Sequence, residues 1–287
     1  MESNERFISV DGATLRVVEQ GTGIPVLVPC GAGIEFYQNT FSPRLLSALR
    51  LIYIEMRGTG GSTGKVDGCT FASLADDVDR VRAALRMDRA IVMGHSNHGC
   101  IALEYALRHP AHCAAALSIG SSPDFSRAIP TGQARWEREA TAEQKESLTR
   151  RQAAFEAMDK SRMNADEISI RNYQAMAPLV FHDLNVDAAA VWGKIPRGAG
   201  EYMQRVILEQ GARWNLIPQL PKITAPVLAI AGRYDYVCPV ELWSESIDHL
   251  PHASLEIFEH SAHNPQCEEA DRFDAMVVEF VRAHAPK

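Results

Sequence analysis

Six apolar runs of strand length, Ile24–Pro29, Leu51–Glu55, Ala90–Gly94, Ala114–Ile119, Pro226–Gly232 and Ser254–Phe258, constrain this chain more than any other feature. Each is continuous rather than alternating, which suits strands covered on both faces, as in a parallel sheet. Helical patterns such as Leu74–Leu85 and Gly99–Arg108 lie between them, and Ala270–His284 follows the last. Strands alternating with helices predict a doubly wound α/β core. The start departs from that rhythm. Phe7–Val10 and Thr14–Glu19 flank Asp11-Gly12, a turn pair that joins hairpin strands, so an antiparallel edge is expected there.

Between Pro123 and Pro218 strand-type runs cease and the chain becomes rich in Ala, Glu, Arg, Gln and Met at helical spacing. A core of 1–123 and 218–287, interrupted by a helical insertion at 124–217, accounts for this, and 287 residues suffice for one large domain so built. Hydrophobic residues at 46% and charged residues at 23% are near the globular average, which argues against disorder and fibrous architecture. A net charge of −7 would repel a phosphate backbone, so nucleic acid is not an expected partner. Mixed runs such as Arg135 to Glu139 read as solvated helix faces. No apolar run approaches the ~18 residues of a membrane span, and Met1 to Arg6 lacks a signal-peptide pattern. A cytoplasmic protein is expected, and a homo-oligomer is compatible with this surface. The six cysteines, Cys30, Cys69, Cys100, Cys113, Cys238 and Cys267, show no CxxC pairing, so reduced thiols are expected rather than a zinc knuckle or disulfide framework.

The strand Ala90–Gly94 runs directly into His95-Ser96-Asn97-His98-Gly99 and then into a helical segment ending at Arg108. A serine on such a strand-to-helix turn has its hydroxyl lifted clear of the sheet, at the positive end of a helix. Serine also caps helices for purely local reasons. The hydroxyl needs a base to take its proton, and that base needs an orienting acid. Asp235 follows the strand Pro226–Gly232, while His260 and His263 follow the strand Ser254–Phe258. Functional groups of open α/β sheets gather at this carboxyl edge.

These stretches resemble the α/β-hydrolase family, whose chain order is nucleophile, acid, histidine. The resemblance extends to Glu55-Met-Arg57-Gly-Thr-Gly-Gly-Ser62 and to Phe71 to Val78 before the nucleophile strand. It implies an α/β-hydrolase fold with an antiparallel N-terminal hairpin and a helical cap, with Ser96 as nucleophile, Asp235 as acid and His263, rather than His260, as base. The turn after the preceding strand, Ser121-Ser122-Pro123, carries no rival carboxylate. It implies backbone oxyanion donors at Asn97 and Ala32, in a loop Cys30-Gly31-Ala32-Gly33 where relatives often begin with histidine. Cys30 reads as a small buried residue, and His95 as structural.

His98 stands where the family motif has glycine, which makes it either a pocket residue or a packed, hydrogen-bonded ring. With the family, the insertion becomes a lid over an acyl-binding cleft, and Gly31, His98, Trp136, Tyr173 and Trp192 are expected around that pocket. Phe155, Met176, Phe181, Tyr202 and Trp214 are further aromatic and apolar lid residues, most of them expected in its core. The implied activity is hydrolysis of a small-molecule carboxylic ester or related acyl bond through an acyl-serine, with no cofactor and no metal. Two alternatives stand beside it. One is a proline-iminopeptidase-like aminopeptidase, in which lid carboxylates among Glu137, Asp166, Glu167, Asp183 and Glu201 would hold an amino terminus. The other is a non-catalytic ligand-binding protein on the same fold.

Overall fold

The computed structural model describes residues 4–31 and 33–286. Eight strands form one sheet in the order β1-β2-β4-β3-β5-β6-β7-β8: β1 (Asn4–Val10), β2 (Ala13–Gly21), β3 (Ile24–Cys30), β4 (Leu49–Glu55), β5 (Ala90–His95), β6 (Cys113–Ile119), β7 (Val227–Gly232) and β8 (Ala253–Phe258). The expected hairpin is the antiparallel β1–β2 pair, and it extends beyond the Asp11-Gly12 turn to pair Asn4 with Glu19. From β4 through β3, β5, β6 and β7 to β8 every pairing is parallel.

The apolar runs explain this order. All residues of β5, β6 and β7 are buried, as a central parallel strand requires. Alternate residues then face opposite cores. Leu27, Ile52 and Val92 point to one side with Leu74, Val78 and Val81. Val26, Val28 and Cys30 point to the other with Leu45, Phe273 and Val277. Each such fully buried aliphatic side chain contributes ~1.5–3 kcal/mol over an exposed one. β8 departs from expectation: only Phe258 is buried along it, because it is the edge strand and lacks a neighbour on one side.

Helices α1 (Ile34–Thr40), α2 (Pro43–Ala48), α3 (Phe71–Ala84) and α4 (Asn97–Arg108) occupy the connections before β6. α3 begins three residues earlier than its apolar pattern, because Thr70 and Ser73 form a reciprocal capping box. Among the described residues no strand lies between β6 and β7. This stretch is helical, with Ala128–Glu139, Ala142–Glu156 and Ala165–Ala175 as its longest α-helices, two of them opened by capping boxes at Thr141 and Asn164. Near its end the short helix Ala199–Tyr202 runs on into a π-helical stretch, Met203–Gln210. A lone bridge between Asp124 and Asn215 closes the neck of the insertion. No helix among the described residues is long and apolar enough to cross a membrane.

Candidate active site

The end of β5 makes a turn that few sequences tolerate. A Cβ on Gly94 would lie 1.9 Å from the carbonyl oxygen of His98, so the helix can return this closely only over glycine. Ser96 takes φ 58° and ψ −131°, a conformation that costs a non-glycine residue on the order of 1–3 kcal/mol. Its N–H donates to Ile119 O at 2.8 Å, and its carbonyl accepts from Gly99 N–H at 2.9 Å, which hold the turn. Ser96 is half-buried while His95, Asn97 and His98 on either side are buried. It forms the N-cap of α4, twelve residues long, where the unpaired N–H groups and the helix dipole favour negative charge.

Asp235 follows β7 and is fully buried. Its Oδ1 accepts from the N–H groups of Val237 and Cys238 at 2.7 and 2.8 Å. Its Oδ2 lies 2.8 Å from Nδ1 of His263, also fully buried. An ionised carboxylate only accepts, so the His263 proton sits on Nδ1 and the Nε2 lone pair is left available. Nε2 of His263 is buried and makes no hydrogen bond. The backbone of His263 is held on both sides, its N–H donating to Val180 O at 3.1 Å and its carbonyl meeting Nε2 of His95 at 2.9 Å. Burial, with His263 beside it, pulls the His95 ring well below its ordinary range, so it serves as a neutral donor to that carbonyl. His260 is exposed and engages Glu269 through its backbone N–H.

Glu268 was no sequence candidate. Its carboxylate accepts from Ala262 N–H at 2.8 Å, one residue before His263, and from His182 N–H at 2.6 Å in the helical insertion. Burial pushes it up to about 7, against the pull of those backbone donors. The signal missed is its place three residues after Pro265, where the short helix Pro265–Glu268 turns it back under the histidine loop.

On the other side of Ser96, β3 ends in the loop expected to supply the second oxyanion donor. Ala32, assigned that donor, lies outside the described residues. Cys30 is a packed thiol that donates to Val28 O at 3.2 Å, and burial pushes it well above the ordinary thiol range. Gly31 N–H donates to Nε2 of His98 at 2.6 Å. The Gly31 Cα faces the ring of Tyr202, where a Cβ would meet ring carbons at 2.3 Å. The hydroxyl of Tyr202 donates to Oδ1 of Asn97 at 3.2 Å.

The expected pocket residues divide. Trp192 packs at 5.2 Å on Phe36, which itself stacks on His95, and Tyr173 meets Trp192 edge-on at 5.3 Å. Burial, and then the Asp235 carboxylate, push the Tyr173 phenol well above its ordinary range. Trp136 instead stands edge-on to Tyr236 at 5.0 Å, in a seam where Arg135 also lies over the Tyr236 ring. Trp214 packs on Phe71 and donates to Glu104 at 2.7 Å near the neck of the insertion. Phe36 and Tyr37 on α1 escaped the sequence reading, because their spacing on a short apolar helix is that of ordinary core residues.

Of the insertion carboxylates, Asp166 accepts from Gly198 and Gly200 N–H, both at 2.8 Å, and Glu167 belongs to a capping box. Glu137, Asp183 and Glu201 are exposed. One group of metal-capable side chains, Asp79, His109 and His112, lies on α3 and past the end of α4. Its carboxylate is already paired with Arg82 at 2.7 Å.

A family model described as alpha/beta hydrolase fold matches residues 26–270. The chain belongs to that family. It is 29% identical over 282 residues to the AB hydrolase superfamily protein YclE of Bacillus subtilis, covering 92% of this chain and 94% of the relative. It is 28% identical to the 2-hydroxymuconate semialdehyde hydrolase of a Pseudomonas strain, covering 96% and 93% of the two chains. Among solved structures, the proline iminopeptidase of Mycobacterium smegmatis superposes with a TM-score of 0.72 at 21% identity, over 98% of this chain and 99% of the other. That last likeness carries the fold alone.

Proposed function

We propose that this member of a hydrolase family is a serine hydrolase that cleaves a carboxylic ester or related acyl bond of a small molecule through an acyl-Ser96 intermediate. The observation that carries the reading is the buried Asp235–His263 pair, which leaves the His263 Nε2 lone pair unpartnered beside the Ser96 turn. Its nearness rests on His95, the residue before Ser96, whose ring centroid is 4.9 Å from that of His263.

The chemistry follows from those groups. Nε2 of His263 takes the Ser96 hydroxyl proton as Oγ bonds to the acyl carbon. Asp235 keeps Nδ1 protonated and stabilises the imidazolium that forms. The oxyanion is met by the N–H of Asn97, at the start of α4, and by the loop after β3. Collapse breaks the bond to the leaving alcohol, which departs with the proton held on His263. Water then repeats the sequence at the acyl carbon, regenerating Ser96. The helical insertion lies over this site as a lid, with Tyr173, Trp192 and Tyr202 as its aromatic face.

An aminopeptidase reading needs a carboxylate turned toward the substrate amine. Asp166 and Glu167 already hold backbone N–H groups, and the other three proposed acids face solvent, so the ester reading is better supported. Labelling of the purified chain with a fluorophosphonate probe tests the assignment. Wild type labels, and Ser96→Ala and His263→Ala do not. An unlabelled wild type favours a ligand-binding role, and a labelled Ser96→Ala removes the nucleophile assignment. p-Nitrophenyl esters against aminoacyl anilides then separate esterase from aminopeptidase.

A further inference from the structure

His98 occupies the position that the common family motif gives to glycine, and its ring is 2% exposed. Three polar groups surround it. Gly31 N–H donates to Nε2 at 2.6 Å, the Tyr37 hydroxyl lies 3.0 Å from Nδ1, and the His95 carbonyl lies 3.2 Å from Nδ1. A neutral imidazole has one acceptor and one N–H. A backbone N–H can only donate, so Nε2 is the acceptor. The proton is therefore on Nδ1, shared toward the His95 carbonyl and the Tyr37 hydroxyl. Burial pulls the ring down to about 3, so this neutral tautomer persists across ordinary working pH.

The same ring is braced from the helical insertion. Tyr202 stacks on it with centroids 5.9 Å apart and planes 21° from parallel, and Tyr202 also covers the Cα of Gly31. Gly31 therefore sits against a hydrogen-bonding ring on one side and a phenol ring on the other. We propose that His98 is a positioning residue, whose Nε2 fixes the Gly31 peptide and so sets the loop carrying the second oxyanion donor.

The inference rests on the serine-hydrolase reading of Ser96. Its physical basis is geometric. Oxyanion donors act only when held about 2.7–3.1 Å from the position the oxygen will occupy. His98 lies one residue beyond Asn97, the other donor, on the first turn of α4. A bond from this residue to Gly31 therefore ties the end of β3, where that loop begins, to the same rigid element as Asn97. Without an acceptor at Nε2, the Gly31 N–H becomes a buried unpaired donor, and the loop shifts to find another partner.

Two substitutions separate positioning from packing. The Oε1 of His98→Gln can accept from Gly31 while its amide N–H₂ serves His95 and Tyr37. His98→Phe fills similar space and stacks on Tyr202 but offers no acceptor. With p-nitrophenyl acetate and the full chain, His98→Phe is expected to lose about 10²–10³ in kcat with KM changed less than about threefold, and His98→Gln to recover to within about tenfold of wild type. Equal kcat loss in the two variants, or a folded Phe variant near wild-type kcat, overturns the proposal.

A measurement on the wild type serves where His98→Phe does not fold. In ¹⁵N-histidine spectra, the ring signals lost in His98→Gln should show a protonated Nδ1 and an unprotonated Nε2, unchanged between about pH 5 and pH 8. A ring that titrates in that range, or that carries its proton on Nε2, overturns the Gly31 bond whatever the activity. Failure of wild type to react with fluorophosphonate instead overturns the hydrolase reading, and with it the catalytic half of the proposal.

Discussion

Replacing Asp235 by asparagine separates the orienting role of this carboxylate from its structural one. Oδ1 serves two backbone donors, Val237 and Cys238 N–H, at 2.7 and 2.8 Å, and Oδ2 serves His263 Nδ1 at 2.8 Å. An amide has a single acceptor oxygen, and the two fixed N–H groups claim it. The asparagine N–H₂ then faces His263, whose Nδ1 must accept rather than donate. That moves the ring proton to Nε2, the atom proposed to receive the proton of Ser96. A wrong tautomer of this kind lowers kcat by on the order of 10⁴ in a serine triad. At 1.36 kcal/mol per tenfold this is about 5.4 kcal/mol of barrier.

Stability should respond differently. Asp235→Asn keeps all three contacts and the volume, so its thermal midpoint should stay within a few degrees of wild type. Asp235→Ala strands two buried N–H groups at about 1–3 kcal/mol each. At about 2–4 °C per kcal/mol for a domain approaching this size, its midpoint should fall by several degrees or more. Steady-state hydrolysis of p-nitrophenyl acetate beside thermal unfolding of both variants reads the two effects. An Asn variant within tenfold of wild-type kcat, or one as unstable as the Ala variant, refutes the reasoning.

Three further outcomes are expected. Ser96→Gly should unfold at a higher temperature than Ser96→Ala, by about 1 kcal/mol of stability, because glycine accepts φ 58° without strain; equal midpoints would show that the turn is not strained. Gly120→Ala combines φ 49° with a Cβ 2.5 Å from the His263 carbonyl oxygen, so it should cost about 1–3 kcal/mol and also slow fluorophosphonate labelling, both measurable on one preparation. The third concerns acid. Folded His98 is pulled down to about 3 while the unfolded ring protonates near 6.5, so its contribution is present above about 6.5 and lost as pH falls toward 3. Denaturant titrations from pH 7 to pH 4 should show this loss in wild type and a shallower one in His98→Gln; parallel curves would remove His98 from the acid response.

Legibility in the sequence tracked the range of the interaction responsible. The strand runs and the Asp11-Gly12 hairpin depend on local pattern, and both are legible in the sequence. The run Ser254–Phe258 is continuous enough to predict a strand buried on both faces, yet along β8 only Phe258 is buried. Being an edge is a property of the whole sheet, which no window reveals. Nor does any window reveal that the Trp136 ring packs on Tyr236, because aromatic residues on a helix go wherever the insertion docks. Tyr37 and the partner of His98 are illegible for the same reason: His98 lies 61 positions from Tyr37 and 67 from Gly31.

The same division bears on what decides the substrate. The groups proposed for bond making sit at the ends of β3, β5 and β7 and in the loop after β8, all in the strand-bearing core. Yet Tyr202, from the helical insertion, reaches Gly31 with its ring and Asn97 with its hydroxyl. The insertion is thus hydrogen-bonded to Asn97 and packed against Gly31 rather than merely resting above them. A change of insertion that altered substrate preference would have to keep a ring over Gly31 and a donor to Asn97, or replace them together. Tyr202 stands immediately before the π-helical stretch Met203–Gln210, where the altered winding sets how the following residues are aimed. On the proposed function, specificity and transition-state geometry therefore share Tyr202, and variation in the one is constrained by the other.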